Sequence, residues 1–294
     1  MGRATPRALC APAAMRAMRM AAARAVALAP PTVSRVARRA PRLLARRAPT
    51  ASASAAAGAA SAAGTTEQLA HGLELLRGET AAARAAAVDW GSVEPLKADS
   101  AFIKPQRLSF EQDGSDRKWD MVASMPSVAV LLYHHELDAV ILVRQFRAPV
   151  HAANVAEAAR AGAPAPPVEG ALTYELVAGL LDKDASPERT AIEEVAEEAG
   201  YRVESLHRVV SYAEAIGISG PSQTLFFGEI FSEAQRIDGA GGGLAEDGEA
   251  IDVLTLPAKS ALDFALDDSY AKSAGLMFGL AALPHLLERY GERR

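Results

Sequence analysis

Three glutamates in a short helical segment have the spacing of a metal site. Glu194, Glu197 and Glu198 stand at positions i, i+3 and i+4, which project from one face of a helix, whereas Ile192 and Val195 fall on a different, apolar face. Neighbouring carboxylates repel one another by roughly a few tenths of a kcal/mol per exposed pair, and a divalent cation would remove that penalty. Hard carboxylate oxygens suit Mg²⁺ or Mn²⁺, which keep water ligands that a phosphate substrate can displace.

The same glutamates also fit a solvated acidic face without function, because charge runs are common on helices. The surrounding elements favour the metal site. The β-type run 173–178 leads into Gly179, and Ser186 and Pro187 have the types preferred at a helix N-cap and first turn. Gly200 is placed to end the helix. The sequence therefore predicts a strand, a loop and a helix that carries the three carboxylates.

This segment, from Gly179 to Tyr201, resembles the Nudix box. The family pattern is Gly, five residues, Glu, seven residues, then Arg-Glu-aliphatic-x-Glu-Glu-x-Gly-aliphatic. Six positions of this chain match it in register: Gly179, Glu194, Val195, Glu197, Glu198 and Gly200.

Two positions depart from the pattern. Ala185 stands where the family has its first Glu, and Glu193 stands where the family has Arg; Tyr201 is also aromatic where an aliphatic residue is usual. In the family, that Glu and Arg mainly brace the loop against the helix. We therefore expect altered bracing but retained metal chemistry, with one further negative charge from Glu193 beside the site.

The resemblance extends over roughly residues 105–290 and implies an α/β fold, the Nudix-type α/β/α sandwich with a mixed β-sheet. Within the family the chain is similar to the nucleoside-diphosphate-sugar pyrophosphatases, most of all to UDP-sugar pyrophosphatases, with ADP-ribose pyrophosphatases as relatives. The segments that carry this likeness are SVAVLLY at 127–133, ILVRQFRAPV at 141–150, TYELVAGLLD at 173–182, SQTLFF at 222–227 and GGGLAEDGEAIDVLTLP at 241–257.

The resemblance also implies a metal-ligand set. Glu194 and Glu198 are expected to be the principal Mg²⁺ ligands, with Mn²⁺ as an alternative ion. Glu197 is expected to assist through a second ion or a water molecule, and the carbonyl of Ala178 to add a backbone oxygen.

A second acidic cluster follows a glycine-rich run late in the chain. Such a run is usually a flexible loop, but here three carboxylates follow it, and a mobile loop would bring them onto a metal-bound substrate. Glu249 is the expected general base, with Glu246 or Asp247 as rivals.

Two arginines are candidates for substrate binding. Guanidinium grips phosphate in a bidentate manner, so we expect Arg147, and Arg144 second, to contact substrate phosphates or the sugar; Gly179 is expected at the same site. Three positions apart on a strand they face opposite sides, so a shared site requires a bulge or a turn, and a surface salt bridge is the alternative. His134 and His135 are adjacent, so we expect solvent exposure rather than a transition-metal site.

The first 66 residues have the composition of a targeting segment. They hold eleven Arg, no Lys, no Asp or Glu, and long Ala runs, which predicts a transit peptide and linker for a mitochondrion or plastid. Without these Arg residues, 20 basic residues face 36 acidic ones. This balance argues against a nucleic-acid partner. The single cysteine, Cys10, lies in the leader, and no apolar run is long enough to predict a membrane span.

The remaining chain is predicted to hold an N-terminal helix and linker at 67–104 and one catalytic domain at 105–290. The helix is expected over 65–88, and a hairpin turns at Asp113-Gly114. Residues 152–168 are Ala- and Pro-rich with little periodicity, which predicts a surface insertion between strands. Further strands are expected at 127–133, 139–145, 173–178, 201–212 and 222–231, and helices at 262–265 and 273–290, the latter with Leu276, Leu280, Leu283 and Leu287 as a core stripe.

The function predicted from these features is Mg²⁺-dependent hydrolysis of the pyrophosphate bond of a nucleoside diphosphate sugar, of the UDP-glucose or ADP-ribose type. The products are a nucleoside monophosphate and a sugar 1-phosphate, and the resemblance implies a homodimer. Two alternatives stay open: a non-catalytic Nudix-fold module that senses or binds nucleotides, and a Nudix hydrolase of another substrate, such as a nucleoside triphosphate or capped RNA.

Overall fold

The structure is a computed structural model that describes residues 70–77, 80–89, 91, 93, 100, 103–182 and 184–291. The predicted leader, residues 1–66, lies outside the described residues, as does the beginning of the helix predicted over 65–88. No helix in the described part of the chain is both long and apolar enough to cross a membrane.

The single helix predicted over 65–88 is wrong within the described residues. A 3₁₀ turn at Ala70–Gly72 is followed by strand β1, Glu74–Arg77, and only then by helix α1, Thr80–Ala86. Strand β1 pairs antiparallel with strand β10, Ile251–Pro257, with Leu75 opposite Leu254. Pairing with a distant strand therefore overrides a local helical pattern.

The predicted hairpin is confirmed. Strands β2, Lys104–Gln112, and β3, Ser115–Ala123, form a separate two-stranded sheet. Asp113 and Gly114 have φ of 54° and 70°, the positive values that a two-residue type I′ turn requires.

The main sheet is mixed. Besides β1 and β10, its strands are β4 Ser127–His134, β5 Ala139–Phe146, β6 Leu172–Glu175, β7 Val177–Leu180, β8 His207–Ala213, β9 Ser222–Ile230 and β11 Ala271–Lys272. Its central order is β1-β10-β5-β4-β9-β8, with β6 beside β5, β7 beside β4 and β11 beside β6. The pairs β4·β9 and β6·β11 are parallel and the others are antiparallel. The strand predicted at 201–212 begins only at residue 207.

Two hydrophobic cores cover the two faces of this sheet. Alternate residues of β4 point to opposite faces, so Val130 packs with Val195 on one side while Leu131 packs with Leu280 on the other. The first core holds helix α3, Pro187–Glu194; the second holds α4, Ala261–Leu266, and α5, Ala274–Tyr290. The predicted α/β/α sandwich is confirmed. The core stripe of α5 is Leu276, Leu280, Leu283 and Leu286, with Leu287 only partly buried.

The surface insertion predicted at 152–168 lies between β5 and β6 and contains no buried residue, but much of it is helical. Helix α2 runs from Ala148 to Ala161 and ends at Gly162, whose φ is 67°. Alanine has the highest helix propensity, so an Ala-rich stretch forms a helix without a marked apolar stripe.

Candidate active site

A cleft of about 590 Å³ contains most of the predicted site residues. Its walls come from strands β4, β6, β7 and β9, from helix α3 and the turn that follows it, from the loop before β10, and from the beginning of α5. The residues that line it are Ser127, Ala129, Gln145, Arg147, Glu175, Leu176, Ala178, Gly179, Leu180, Asp182, Glu194, Glu197, Glu198, Glu214, Gln223, Leu244, Glu249, Ser273 and Gly275.

The helix that carries the three glutamates begins and ends as predicted, but its last turn is not α-helical. The Ser186 side chain accepts from the backbone N–H of Arg189 at 3.2 Å, and Gly200 stops the helix with φ of 76°. Between them Val195–Ala199 forms a π-helical turn, in which the Gly200 N–H donates to the carbonyl of Val195 at 3.0 Å. Such single π turns occur frequently at functional sites.

Glu198 is the most deeply buried of the three glutamates. It is 6% exposed, and its Oε2 accepts from the backbone N–H of Ala178 at 3.1 Å. Burial raises the pKa of Glu198 well above its usual range; the Ala178 N–H opposes this, and the nearby charges of Glu194, Glu249 and Glu175 add to it. A cation beside these carboxylates would favour their charged forms.

Glu194 lies directly over Gly179. A Cβ at Gly179 would stand 2.0 Å from Glu194 Oε1, so the glycine is needed for the carboxylate to occupy this place. The spacing between Gly179 and Glu194 thus has a steric basis in this chain: the second-last residue of β7 must leave room for the side chain of Glu194.

Arg147 is the guanidinium of the cleft, and it is paired with Glu175. Arg147 Nε and Nη2 donate to the two carboxylate oxygens of Glu175 at 2.8 and 2.7 Å, and Thr173 Oγ1 donates to Glu175 Oε1 at 2.5 Å. Glu175 was not among the residues predicted for the site. The alternation of β6 offered a signal, because Tyr174 and Leu176 on either side of Glu175 are buried in the opposite core.

Arg144 does not share this site. It is 4% exposed, and its Nε and Nη2 donate to Asp252 Oδ2 at 3.1 and 2.9 Å. Asp252 is opposite Arg144 in the β5·β10 register, and its Oδ1 also accepts from the Ala81 N–H at the start of α1. The chain does not bulge between the two arginines; Arg147 instead occupies the N-cap of α2. We therefore assign Arg144 to the core rather than to the substrate.

The glycine-rich loop is fastened to the glutamate helix. The N–H groups of Gly242 and Gly243 donate to the carbonyls of Glu198 and Glu197 at 2.8 and 3.2 Å. Gly243 has φ of 78°, and a Cβ there would lie 2.6 Å from Glu249 Oε2. The glycines thus allow close backbone packing against the π turn.

The three acidic candidates of this loop have different places. Glu249 lines the cleft, and its Oε2 accepts from the Leu244 N–H at 2.8 Å. Glu246 is exposed in the 3₁₀ turn Ala245–Asp247 and does not line the cleft. The side chain of Asp247 lies outside the described residues.

Arg84 of α1 holds the same loop from the other side. Its Nη1 donates to the carbonyls of Gly248 and Glu249 at 3.3 and 3.0 Å. No motif marked this residue, because the contact joins positions that are 165 apart in the chain.

Glu193, one of the two departures from the box, forms an ion pair within its own helix. Glu193 accepts from Arg189 Nε at 2.8 Å, one helical turn earlier on the surface of α3. The extra negative charge is therefore paired with a cation on its own helix.

His134 is buried, which contradicts the expected solvent exposure. It lies at the end of β4, edge-on to the ring of Tyr201, and its Nε2 is 3.1 Å from Glu233 Oε1. Burial lowers the pKa of His134, while Glu233 opposes the shift. His135 is half-buried and stacks on Phe231.

The charge balance of the cleft suits a divalent cation. Among the described residues that line it, one guanidinium faces seven carboxylates. A diphosphate anion entering such a cleft would be repelled without added positive charge, and oxygen-only donors on a rigid helix are those preferred by hard cations. In the described part of the chain, no three His, Cys, Asp or Glu side chains stand in a geometry that would hold a metal ion. The ligand set therefore stays a prediction.

Comparison with known proteins decides the family. Over 199 residues the chain is 39% identical to the uridine diphosphate glucose pyrophosphatase NUDT14 of Bos taurus, and the match spans 63% of this chain and 89% of that protein. The chain belongs to the Nudix hydrolases. Its nucleotide-sugar pyrophosphatase relatives include NUDT14 of Mus musculus, 34% identical over 65% of this chain and 94% of that protein.

A bacterial relative and a solved structure extend the comparison. This Nudix hydrolase is 33% identical to the GDP-mannose pyrophosphatase of Klebsiella pneumoniae over 63% of its own length and 84% of that protein. The crystal structure of an ADP compounds hydrolase superposes with a TM-score of 0.50 at 16% identity, covering 66% of this chain and 91% of that one, and supports the fold. No family model matches the chain.

Proposed function

We propose that this Nudix hydrolase cleaves the pyrophosphate bond of a nucleoside diphosphate sugar, of the UDP-glucose or ADP-ribose type, and uses Mg²⁺, with Mn²⁺ as a possible substitute. The observation that carries the proposal is the convergence of the helix carboxylates, the Arg147–Glu175 pair and Glu249 on one cleft. The names of the relatives, which include UDP-glucose and GDP-mannose pyrophosphatases, support this substrate class.

Glu194, Glu197 and Glu198 are the residues that would hold the cation, with the Ala178 carbonyl as a backbone ligand. When bound, the ion would neutralise phosphate charge and acidify an attacking water. The buried position of Glu198 fixes one carboxylate through the Ala178 N–H, while Gly179 leaves Glu194 its place. These two contacts limit the rearrangement that the carboxylates need in order to ligate an ion.

Arg147 is the residue that would grip the diphosphate. Its guanidinium lies in the cleft wall, and two hydrogen bonds to Glu175 fix the orientation of the guanidinium plane. This pairing orients the fork and leaves further guanidinium N–H positions to face phosphate oxygens.

Glu249 would act as the general base. Its carboxylate would take a proton from water as the water oxygen forms a bond to phosphorus and the bridging P–O bond breaks, so that the electron pair leaves with the second phosphate. The loop that carries Glu249 is fixed by the π turn on one side and by Arg84 on the other, so a large closing motion is not required.

The test is turnover by the full chain. UDP-glucose, GDP-mannose and ADP-ribose would be incubated with Mg²⁺, and the products identified by mass. Release of a nucleoside monophosphate and a sugar 1-phosphate is expected, with loss of turnover in Glu198→Gln and retention in the exposed control Glu188→Gln. Absence of cleavage of all three would refute the proposal, and tight binding without turnover would favour the non-catalytic module.

We further propose a homodimer and organelle targeting. The hairpin β2–β3 exposes Leu108 and Trp119 beside the exposed Ile218, whose carbonyl accepts from Val122 N–H at 2.9 Å. A second copy would cover this surface. Light scattering of Leu108→Glu, compared with the unaltered chain, tests the dimer, and a monomer is expected for the variant.

A fluorescent fusion of residues 1–66 tests the predicted mitochondrial or plastid targeting.

A further inference from the structure

A row of polar side chains crosses three neighbouring strands at the end of the cleft formed by β4, β8 and β9. Tyr212 of β8 is opposite Gln223 of β9, and Gln223 is opposite Ser127 of β4. Directly paired residues place their side chains on the same face of a sheet, so the three form one continuous row. Ser127 and Gln223 line the cleft.

The hydrogen bonds along this row all run in one direction. The Tyr212 hydroxyl donates to Gln223 Oε1, and Gln223 Nε2 donates to Ser127 Oγ at 3.0 Å. Burial raises the pKa of Glu214, which follows β8 and lines the same cleft, and the nearby Ser127 hydroxyl opposes this rise. Because a phenol that keeps its proton is the first donor, the amide of Gln223 is held in one orientation.

Helix α5 closes over the beginning of the row. A Cβ at Gly275 would lie 2.5 Å from Tyr212 Oη and 3.1 Å from Gln223 Oε1. The absence of a side chain at Gly275 is therefore what lets the tyrosine hydroxyl reach the amide, and the row is built into the packing of three elements.

Glu214 brings a carboxylate to this end of the cleft. It is half-buried in a wall of the cleft that Glu175 also lines. A carboxylate there repels a diphosphate and can accept roughly four hydrogen bonds. The group that meets Glu214 should therefore be neutral and should donate hydrogen bonds.

We propose that Glu214, beside the row of Ser127, Gln223 and Tyr212, is a subsite for a vicinal diol of the substrate. The two carboxylate oxygens accept from two neighbouring hydroxyls, as an acidic residue does when it binds a ribose. The diol belongs either to the glycosyl group or to the ribose of the nucleoside. This inference rests on the proposed hydrolysis of nucleotide sugars.

The test combines single hydroxyl removals in the substrate with single substitutions in the protein. The value of kcat/KM is measured for UDP-glucose, for analogues that each lack one glucose hydroxyl, and for the analogue that lacks the ribose 2′-hydroxyl. Each substrate is tested with the full chain, with Glu214→Ala and with the exposed control Glu188→Ala. Loss of a hydrogen bond to a charged group corresponds to about a ten- to hundredfold change.

We expect Glu214→Ala to lower kcat/KM for UDP-glucose by that factor, mainly through a higher KM. In the unaltered chain, removal of one particular substrate hydroxyl should lower kcat/KM by the same factor. In Glu214→Ala, removal of that hydroxyl should leave kcat/KM unchanged. A glycosyl hydroxyl that behaves in this way places the sugar at Glu214, and the ribose hydroxyl places the nucleoside there. Tyr212→Phe, which removes one oxygen and keeps the ring, is expected to cause a smaller loss for the same substrates.

Two outcomes would overturn the inference, and they are distinguishable. Turnover of UDP-glucose without any coupling between Glu214 and a hydroxyl would remove this subsite and leave the proposed function intact. Absence of turnover of every nucleotide sugar by the unaltered chain would remove both. If Glu214→Ala does not fold, the coupling is measured with Tyr212→Phe, and full additivity there would count against the row.

Discussion

The close approach of Glu194 to Gly179 separates catalysis from stability in a single substitution, Gly179→Ala. The added methyl would lie 2.0 Å from Glu194 Oε1, and ordinary van der Waals contact begins at 3.4 Å, so the carboxylate must retreat by about 1.4 Å. Gly179 has no left-handed backbone conformation that would strain an alanine. The atoms that must move are Oε1, Cδ and Cγ of Glu194, which the added Cβ would approach to 2.0, 2.3 and 2.5 Å, and none of them is backbone.

The expected result is a large loss of activity in a stable protein. A misplacement of about 1 Å at a reacting centre can lower a rate on the order of 100-fold, which corresponds to about 2.7 kcal/mol in the activation free energy. Displacing a partly exposed carboxylate should change the free energy of unfolding by less than about 1 kcal/mol. We expect kcat/KM for UDP-glucose to fall about 100-fold while the midpoint of thermal unfolding moves by no more than about 4 °C.

The assay is steady-state hydrolysis together with thermal unfolding, and Gly170→Ala is the matched control, because a Cβ at Gly170 meets nothing within 4 Å. A double-mutant cycle identifies the cause. If Gly179→Ala acts by displacing Glu194, then Glu194→Gln should cost far less in the Gly179→Ala background than alone. Unchanged kcat/KM, or full additivity of the two substitutions, would refute the reasoning.

Three further predictions concern Arg84, which holds the Glu249 loop, and the buried residues Asp252 and His134. Arg84→Ala should lower kcat about fivefold, because about 1 kcal/mol of hydrogen bonding to the Glu249 loop is lost, and an unchanged kcat would contradict this role. Asp252→Ala should lower the free energy of unfolding in denaturant by about 3–5 kcal/mol, since it leaves Arg144 buried without this partner; a loss below about 1 kcal/mol would argue against a buried pair. Burial lowers the folded-state pKa of His134 below 6.5, so the unfolded chain binds a proton at higher pH than the folded chain does, and the free energy of unfolding falls as pH drops below that value. His134→Gln should flatten this decline when unfolding is measured at successive pH values. An equally steep decline in the variant would contradict the prediction.

Features that depend on neighbours in sequence were predictable. The N-cap at Ser186, the stop at Gly200 and the turn at Asp113-Gly114 follow from side-chain hydrogen bonding and from backbone conformations that few residues adopt. The placement of Glu198 beside Ala178 followed from the motif, because strand, loop and helix are contiguous. The π turn was not predictable, since a helix with one additional residue in its last turn has the same local composition.

Features that depend on distant pairing were not predictable from one sequence. A guanidinium in an apolar strand looks the same whether it faces the cleft or the core, and Arg144 became a core residue only through Asp252, 108 positions away. Strand β1 likewise exists because β10 offers it an edge. The row of Tyr212, Gln223 and Ser127 needs the register of three strands, which no local pattern in the sequence gives.

The altered bracing of the box has a physical resolution in the backbone. At its beginning, the loop between β7 and α3 is fixed by the pairing of Leu180 with Ser127 and by the Leu181 N–H, which donates to the carbonyl of Pro126 at 2.9 Å. At its end, the N-cap at Ser186 fixes the loop. Closing a short segment whose two ends are already held costs little additional conformational entropy. A side-chain brace between Arg and Glu is then dispensable, which explains how a chain with Ala185 and Glu193 keeps its carboxylates in place.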